Sequence, residues 1–192
     1  MVPVIQALWL ALPVILAGLS HVLVLDRGWL APLGRVPLDG GARVRGRRLF
    51  GANKTVRGAL VMIAAASGWA LCLEFLRRAL GWPADVTFAE LARTGPGWWG
   101  ALLGAAYIAG ELPNSFVKRQ LDIAPGAPAK GRARVLLWLI DQTDSLAGVL
   151  VAVSFVAVPP VAVIATLVVI ALVIHPAVAA VMVALGLKDR IG

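Results

Sequence analysis

Two stretches of the chain set acids at the ends of apolar runs. Asp141-Gln142-Thr143-Asp144-Ser145 opens the run from Val135 to Val158, and Gly110-Glu111-Leu112-Pro113-Asn114-Ser115-Phe116-Val117-Lys118-Arg119 closes the run that starts at Trp98. A carboxylate inside hydrocarbon costs about 2.5 kcal/mol or more, so such residues mark ion, proton or substrate sites. Asp141 and Asp144 are three residues apart and share one face of a helix. A pair of carboxylates on one face suits a hard cation such as Mg²⁺, which is held by one or two carboxylates plus substrate phosphates. Basic residues gather at the same edge: Lys118 and Arg119 after Glu111, and Lys54 and Arg57 in Gly51-Ala52-Asn53-Lys54-Thr55-Val56-Arg57-Gly58. The last string precedes an apolar run. A helix N-terminus there offers free N–H groups to an anion, with Asn53 or Thr55 as its cap. The residues therefore suggest a metal, a polyanion and a lipid interface acting together.

The elements that must position these groups are membrane helices. The chain is 192 residues long and 60% hydrophobic, well above the 45–50% of ordinary soluble domains. Five apolar runs have the roughly 17–25 residues that a spanning helix needs: Val4–Leu25, Gly58–Leu76, Trp98–Val117, Val135–Val158 and Pro160–Leu185. The expected fold is all-α, a single polytopic domain over residues 1–192 with five transmembrane helices. The third run is rich in glycine and alanine, which suits close helix packing. Pro113 is expected to end that helix, and Pro159-Pro160 to make a tight hairpin turn between the fourth and fifth. The first run reads as a retained helix and not a cleaved signal peptide, because the basic stretch Asp26–Arg57 follows it instead of a small-residue cleavage site.

Charge sets the expected orientation. Eight basic residues lie in the first connection (Arg27, Arg35, Arg43, Arg45, Arg47, Arg48, Lys54, Arg57), five in the third (Lys118, Arg119, Lys130, Arg132, Arg134) and two in the tail (Lys188, Arg190). These fifteen of the eighteen Lys and Arg fall on one side after five crossings. The second connection holds only Arg77, Arg78 and Arg93. The positive-inside rule puts the rich side in the cytoplasm and the N-terminus outside. In a chain this apolar, the net charge of +8 reports topology, anionic lipid headgroups and an anionic substrate rather than nucleic acid. Arg45 and Arg47 read as members of a long solvated loop.

Other chemistry is poorly supported. The one cysteine, Cys72, excludes a disulfide framework and a cysteine metal site. His21 and His175 lack metal-pair spacing and read as packing residues with hydrogen bonds. The Lys54 string is no Walker loop, since Asn53 and Arg48 occupy the required glycine positions. Asp39-Gly40-Gly41-Ala42-Arg43 falls one residue short of the CDP-alcohol phosphotransferase signature and lacks its later aspartates; the glycines read as a turn, and Asp39 stays open. A small transporter would place polar residues at mid-membrane and repeat its halves, whereas these acids cluster at one edge and no repeat is evident.

The three charged strings resemble those of the CDP-archaeol synthase family. Phe50-Gly51-Ala52-Asn53-Lys54-Thr55-Val56-Arg57-Gly58 is similar to its Phe-Gly-x-Asn-Lys-Thr-x-Arg-Gly, Gly110 to Arg119 to its Gly-Asp-x-x-x-Ser-Phe-x-Lys-Arg, and Asp141-Gln142-Thr143-Asp144 to its Asp-Gln-x-Asp. His175-Pro176 with Gly186-Leu187-Lys188 resembles its C-terminal helix. The resemblance implies CTP, Mg²⁺, a lipid-phosphate acceptor and a multi-pass enzyme of the cell membrane. It implies catalytic roles for Lys118, Arg119, Asp141 and Asp144. It also implies nucleotide contacts from Asn53, Lys54, Thr55, Arg57 and Ser115, and a metal held by Asp141, Asp144 and Glu111. This chain departs from the pattern at Glu111, where the family has Asp, at Thr143 and Ser145, and at Ala179, where an Asn is expected; phosphatidic acid therefore stands beside an isoprenoid ether lipid as acceptor.

Overall fold

The computed structural model describes residues 2–83, 95–127, 129, 131 and 134–187. Arg93, Lys130, Arg132, Lys188 and Arg190 of the charge pattern lie outside the described residues. Five long helices carry the fold: α1 (Val2–Asp26), α3 (Val56–Ala79), α4 (Pro96–Gln120), α5 (Arg134–Ser154) and α6 (Val161–Ala184). A short helix α2 (Ala31–Gly34) and a hairpin of β1 (Arg43–Val44) and β2 (Arg47–Arg48) fill the first connection. Among the described residues four helices, α1, α3, α5 and α6, are long and apolar enough to cross a membrane. The expected third span, α4, is as long as α1, but its glycines, tryptophans and polar residues lower its mean hydropathy. The chain is a helical, multi-pass membrane protein. Helices satisfy every interior backbone group within one segment, which is what hydrocarbon demands.

Helix α4 occupies the centre, packed between α3 and α5, while α1 lies on α3 and α6. Glycine makes this possible. A Cβ on Gly100 would stand 2.2 Å from the Ala66 carbonyl oxygen of α3, and one on Gly110 2.5 Å from the Asp144 carbonyl oxygen of α5. Across that second contact Gly148 answers, since its own Cβ would lie 2.6 Å from Gly110 Cα. Backbones this close gain dispersion contact that lipid does not replace. Leu10, Leu103, Val153, Val163 and Leu167 then form a core from α1, α4, α5 and α6.

Two expectations about proline are corrected. Pro113 does not end α4; the helix continues through it to Gln120. The carbonyl that the proline ring leaves unbonded is tolerable where neighbouring helices pack. The α5–α6 connection is also longer than a Pro-Pro turn, because α5 stops at Ser154. Val156 and Ala157 both donate backwards to the Val153 carbonyl, and the chain then runs extended into Pro159 and Pro160, as residues before proline prefer.

Arg45 and Arg47 are exposed, as a solvated segment requires, but that segment is an ordered hairpin and not an irregular loop. Arg45 and Gly46 turn the hairpin with φ of 51° and 79°, the two positive angles of a type I′ turn. Beside it the chain folds back on the start of α3: Leu38 N donates to Lys54 O at 2.8 Å and Val56 N to Val36 O at 2.9 Å.

Candidate functional site

Thr55 caps α3, its hydroxyl accepting from Gly58 N at 3.2 Å, a contact worth about 1 kcal/mol. The cap fixes where the helix begins, and so where Lys54 and Arg57 project. Lys54 reaches across to Glu111 on α4 and forms an ion pair, with both side chains about one-fifth exposed. Arg57 Nη1 donates to the Trp29 carbonyl at 3.3 Å, while its buried Nε has no partner among the described residues. Asn53 is exposed beside them. His21 of α1 packs next to Gly58 and lies in the field of Glu111, Arg57 and Lys54.

One turn beyond Glu111, α4 meets the α5 carboxylates. Asn114 Nδ2 donates to Asp141 Oδ1 and to Asp144 Oδ2, each at 2.7 Å. Lys118, one turn further, forms an ion pair with Asp141. Asp144 also accepts from Ser145 N at 2.6 Å. Residues 111, 114 and 118 follow the i, i+3, i+7 row of one helix face, and Asp141 and Asp144 the matching row on α5. Both carboxylates thus converge on a single point. Glu111 and Lys54 lie within electrostatic range of Asp144, so the pairs form one charged cluster at one edge of the bundle.

Several polar atoms in the cluster are buried and have no partner among the described residues: Asn114 Oδ1, Arg57 Nε, and Arg119 Nε and Nη1. Arg119 lies against Gly51, whose Cβ would sit 3.5 Å from Arg119 Cδ. Behind Glu111 the ring of His175 joins α6 to the site, with Nε2 3.4 Å from Tyr107 Oη and 3.3 Å from Ser145 Oγ. Ser145 is fully buried and Ser115 nearly so. Two apolar spaces adjoin the cluster. A cavity of about 290 Å³ among α1, α4, α5 and α6 has Glu111, Tyr107, Ser145 and His175 in its lining. A groove of about 1030 Å³ along α4 and α5 includes Asn114 and Asp144 in its lining.

The structure brings Lys54, Glu111, Lys118, Asp141 and Asp144 together, and sets Thr55, Arg57 and Arg119 around them. Ser115 is held inside α4. Among the described residues no three of His, Cys, Asp and Glu form a ready-made metal cluster, because Lys54, Asn114 and Lys118 stand between the carboxylates. In sequence Asn114 reads, with Ser115, as an oxygen ligand or hydrogen-bonding group at the end of the Glu111 string; the structure makes it the donor that joins both α5 carboxylates. Asp39, Tyr107 and His175 could be joined to the site only through tertiary contacts.

Known proteins resemble this chain in sequence and in fold. The family model described as CarS-like CDP-archaeol synthase matches residues 1–191. A CDP-archaeol synthase of Halobacterium salinarum is 32% identical over 194 residues, covering 97% of this chain and 96% of the relative. One from Aeropyrum pernix is 34% identical over 152 residues, 77% of this chain and 68% of the relative. A solved structure described as an intramembrane enzyme for archaeal membrane lipid biosynthesis is similar with a TM-score of 0.65 and 28% identity. It covers 91% of this chain and 92% of its own. The transporter reading finds no support in these relatives.

Proposed function

This chain belongs to the CDP-archaeol synthase family, and from that premise we propose that its charged rim transfers CMP from CTP to a membrane lipid phosphate and releases pyrophosphate. An oxygen of the lipid phosphate attacks the α-phosphorus of CTP; the bond from that phosphorus to the β-phosphate oxygen breaks, and pyrophosphate carries the electron pair away. The nucleophile is already an anion at neutral pH, so the residues need not supply a strong base. Their work is positioning and charge neutralisation. Lys118, Arg119, Lys54 and Arg57 would take phosphate oxygens, with Asn53, Thr55 and Ser115 as hydrogen-bonding groups around the nucleotide. In this reading Lys54 and Lys118 exchange their carboxylate partners for phosphate when CTP binds.

The observation that carries the reading is the convergence of Asp141 and Asp144 on Asn114, with an Arg119 further along α4 whose buried Nε and Nη1 have no partner among the described residues. The donor set fits Mg²⁺. Asn114 holds an orphaned buried oxygen next to two carboxylates, and a hard cation takes all-oxygen ligands. Asp141 and Asp144, with Glu111, would hold the ion, which when bound supplies positive charge to the triphosphate. The apolar cavity and groove beside the cluster support an acceptor whose chains stay in the bilayer. The family favours an isoprenoid ether lipid phosphate, similar to unsaturated archaetidic acid.

The test is purified protein with labelled CTP, Mg²⁺ and a panel of acceptors. A two-chain lipid phosphate should yield CDP-lipid and pyrophosphate. Glycerol phosphate should react at least about 100-fold more slowly, because it forgoes the binding of its chains. Ether and ester lipid phosphates compared in one assay decide the linkage. No consumption of CTP with any lipid phosphate would overturn the proposal.

The same reading requires CTP to reach the rim from the cytoplasm of a cell-membrane enzyme. We therefore assign five crossings, with the N-terminus outside and the C-terminus inside. Cys72 is exposed, so labelling starts from a Cys72→Ser background. An impermeant thiol reagent outside intact cells should label Gly81→Cys and spare Arg45→Cys. The reverse pattern would exclude the orientation.

A further inference from the structure

Asp39 stands out in a connection whose charged residues are mostly cations. Its side chain is fully buried, although a buried carboxylate is costly unless hydrogen bonds and a counter-charge surround it. Here they do. Oδ1 accepts from Arg48 Nη2 at 2.6 Å and from Gly41 N at 2.9 Å. Oδ2 accepts from Phe50 N at 3.1 Å, Gly51 N at 3.3 Å and Arg48 Nε at 3.3 Å. The Arg48 guanidinium, helped by these backbone donors, holds the carboxyl far below the usual carboxylate range.

What this network grips is the turn that carries Lys54. The Asp39 carboxylate holds its first end at Phe50 and Gly51, while the neighbouring Leu38 N–H holds the Lys54 carbonyl at 2.8 Å. Two adjacent residues thus clamp both ends of Gly51-Ala52-Asn53-Lys54, which Lys54 N closes by donating to Gly51 O at 3.3 Å. Gly51 adopts φ +104° and meets the aliphatic part of Arg119, and Lys54 extends to Glu111. On the far side of the hairpin, Arg47 pairs with Asp122 just past the end of α4, but both side chains there are largely exposed and such a pair contributes little.

We propose that Asp39 is a positioning residue for nucleotide binding: it fixes the Gly51–Lys54 turn so that Lys54, held on Glu111, and Arg119 stand beside the phosphate site before CTP arrives. This rests on the cytidylyltransferase reading above. Asp39 touches no reacting atom and acts through backbone N–H groups and Arg48. A carboxylate that served stability alone would lower the folded fraction without changing how the folded molecules bind CTP.

The experiment compares wild-type protein with Asp39→Asn, Asp39→Glu and Arg48→Gln, with Arg45→Ala as a control in the same hairpin. For each, KM is measured separately for CTP and for the lipid phosphate, with kcat and a melting curve. Asp39→Asn should raise KM for CTP about tenfold or more, since small misplacements of binding groups are costly, and leave KM for the lipid within about twofold. Arg48→Gln keeps the carboxylate on Phe50 and Gly51 and should show the same signature at a smaller size. Asp39→Glu should recover part of the loss, and Arg45→Ala should match wild type. Unchanged KM for CTP in folded Asp39→Asn, or equal rises for both substrates, would overturn the inference. If Asp39→Asn does not fold, Arg48→Gln decides: a wild-type KM for CTP there also overturns it. A wild-type protein that leaves CTP untouched would instead sink the functional reading itself.

Discussion

Asp141→Asn and Asp144→Asn should each lower kcat/KM for CTP by at least about 100-fold, roughly 2.7 kcal/mol of transition-state stabilisation, in protein that still inserts and folds. Both carboxylates point at Asn114 Nδ2. An amide in place of either removes a negative charge from the point where they converge and brings an uncharged group against the Asn114 amide. The two variants should differ in one respect. Asp141 also holds Lys118, so Asp141→Asn frees a cation and should melt lower than Asp144→Asn, which leaves that ion pair intact. A second readout separates metal binding from turnover: with CTP present, Mg²⁺ should raise the melting temperature of wild type and fail to do so for either variant. Glu111→Gln should be impaired too, because it removes a carboxylate from the same cluster and strands Lys54. Near-normal activity in either aspartate variant would make that carboxylate structural.

Gly110→Val should inactivate the enzyme from outside the charged cluster. A Cβ there would stand 2.5 Å from the Asp144 carbonyl oxygen and 3.0 Å from Gly148 Cα and N. These are backbone atoms, so no side chain can swing aside, and α4 must move away from α5. Overpacking of this kind costs about 1–3 kcal/mol or more. The functional loss should be larger than the stability loss. Asn114 lies one helical turn from Gly110, and its two 2.7 Å bonds to α5 do not survive a separation of even 1 Å, a displacement that can lower a rate by about 100-fold. Gly68→Ala is the control, since a Cβ at Gly68 meets nothing within 4 Å and alanine favours a helix. Turnover and melting temperature, measured side by side, check both variants. A Gly110→Val protein with wild-type turnover would show that the α4–α5 spacing does not set the site.

Much of the site was legible because its signals are local. Asp141 and Asp144 announce themselves by being acids three residues apart in an apolar run. Lys54 and Arg57 lie at the start of such a run, and Lys118 and Arg119 at the end of one. The cost of charge in hydrocarbon makes each of these informative without any neighbour. Helix boundaries near proline were less legible. Pro113 sits inside α4, where packing against α3 and α5 overrides the ring's local preference, and α5 ends at Ser154, several residues before Pro159.

The sequence by itself determined the helical class, the multi-pass character, the edge at which charges gather and the types of group that do the chemistry. These follow from hydropathy, spacing and charge, which act along the chain. The tertiary structure decided the pairings: Lys54 with Glu111, Lys118 with Asp141, Asn114 with both aspartates, and Asp39 with the turn that carries Lys54. Those choices depend on how closely α4 approaches α3 and α5. That distance is set by glycines facing carbonyl oxygens on other helices, and a glycine looks the same in sequence whether it meets lipid or a neighbouring backbone.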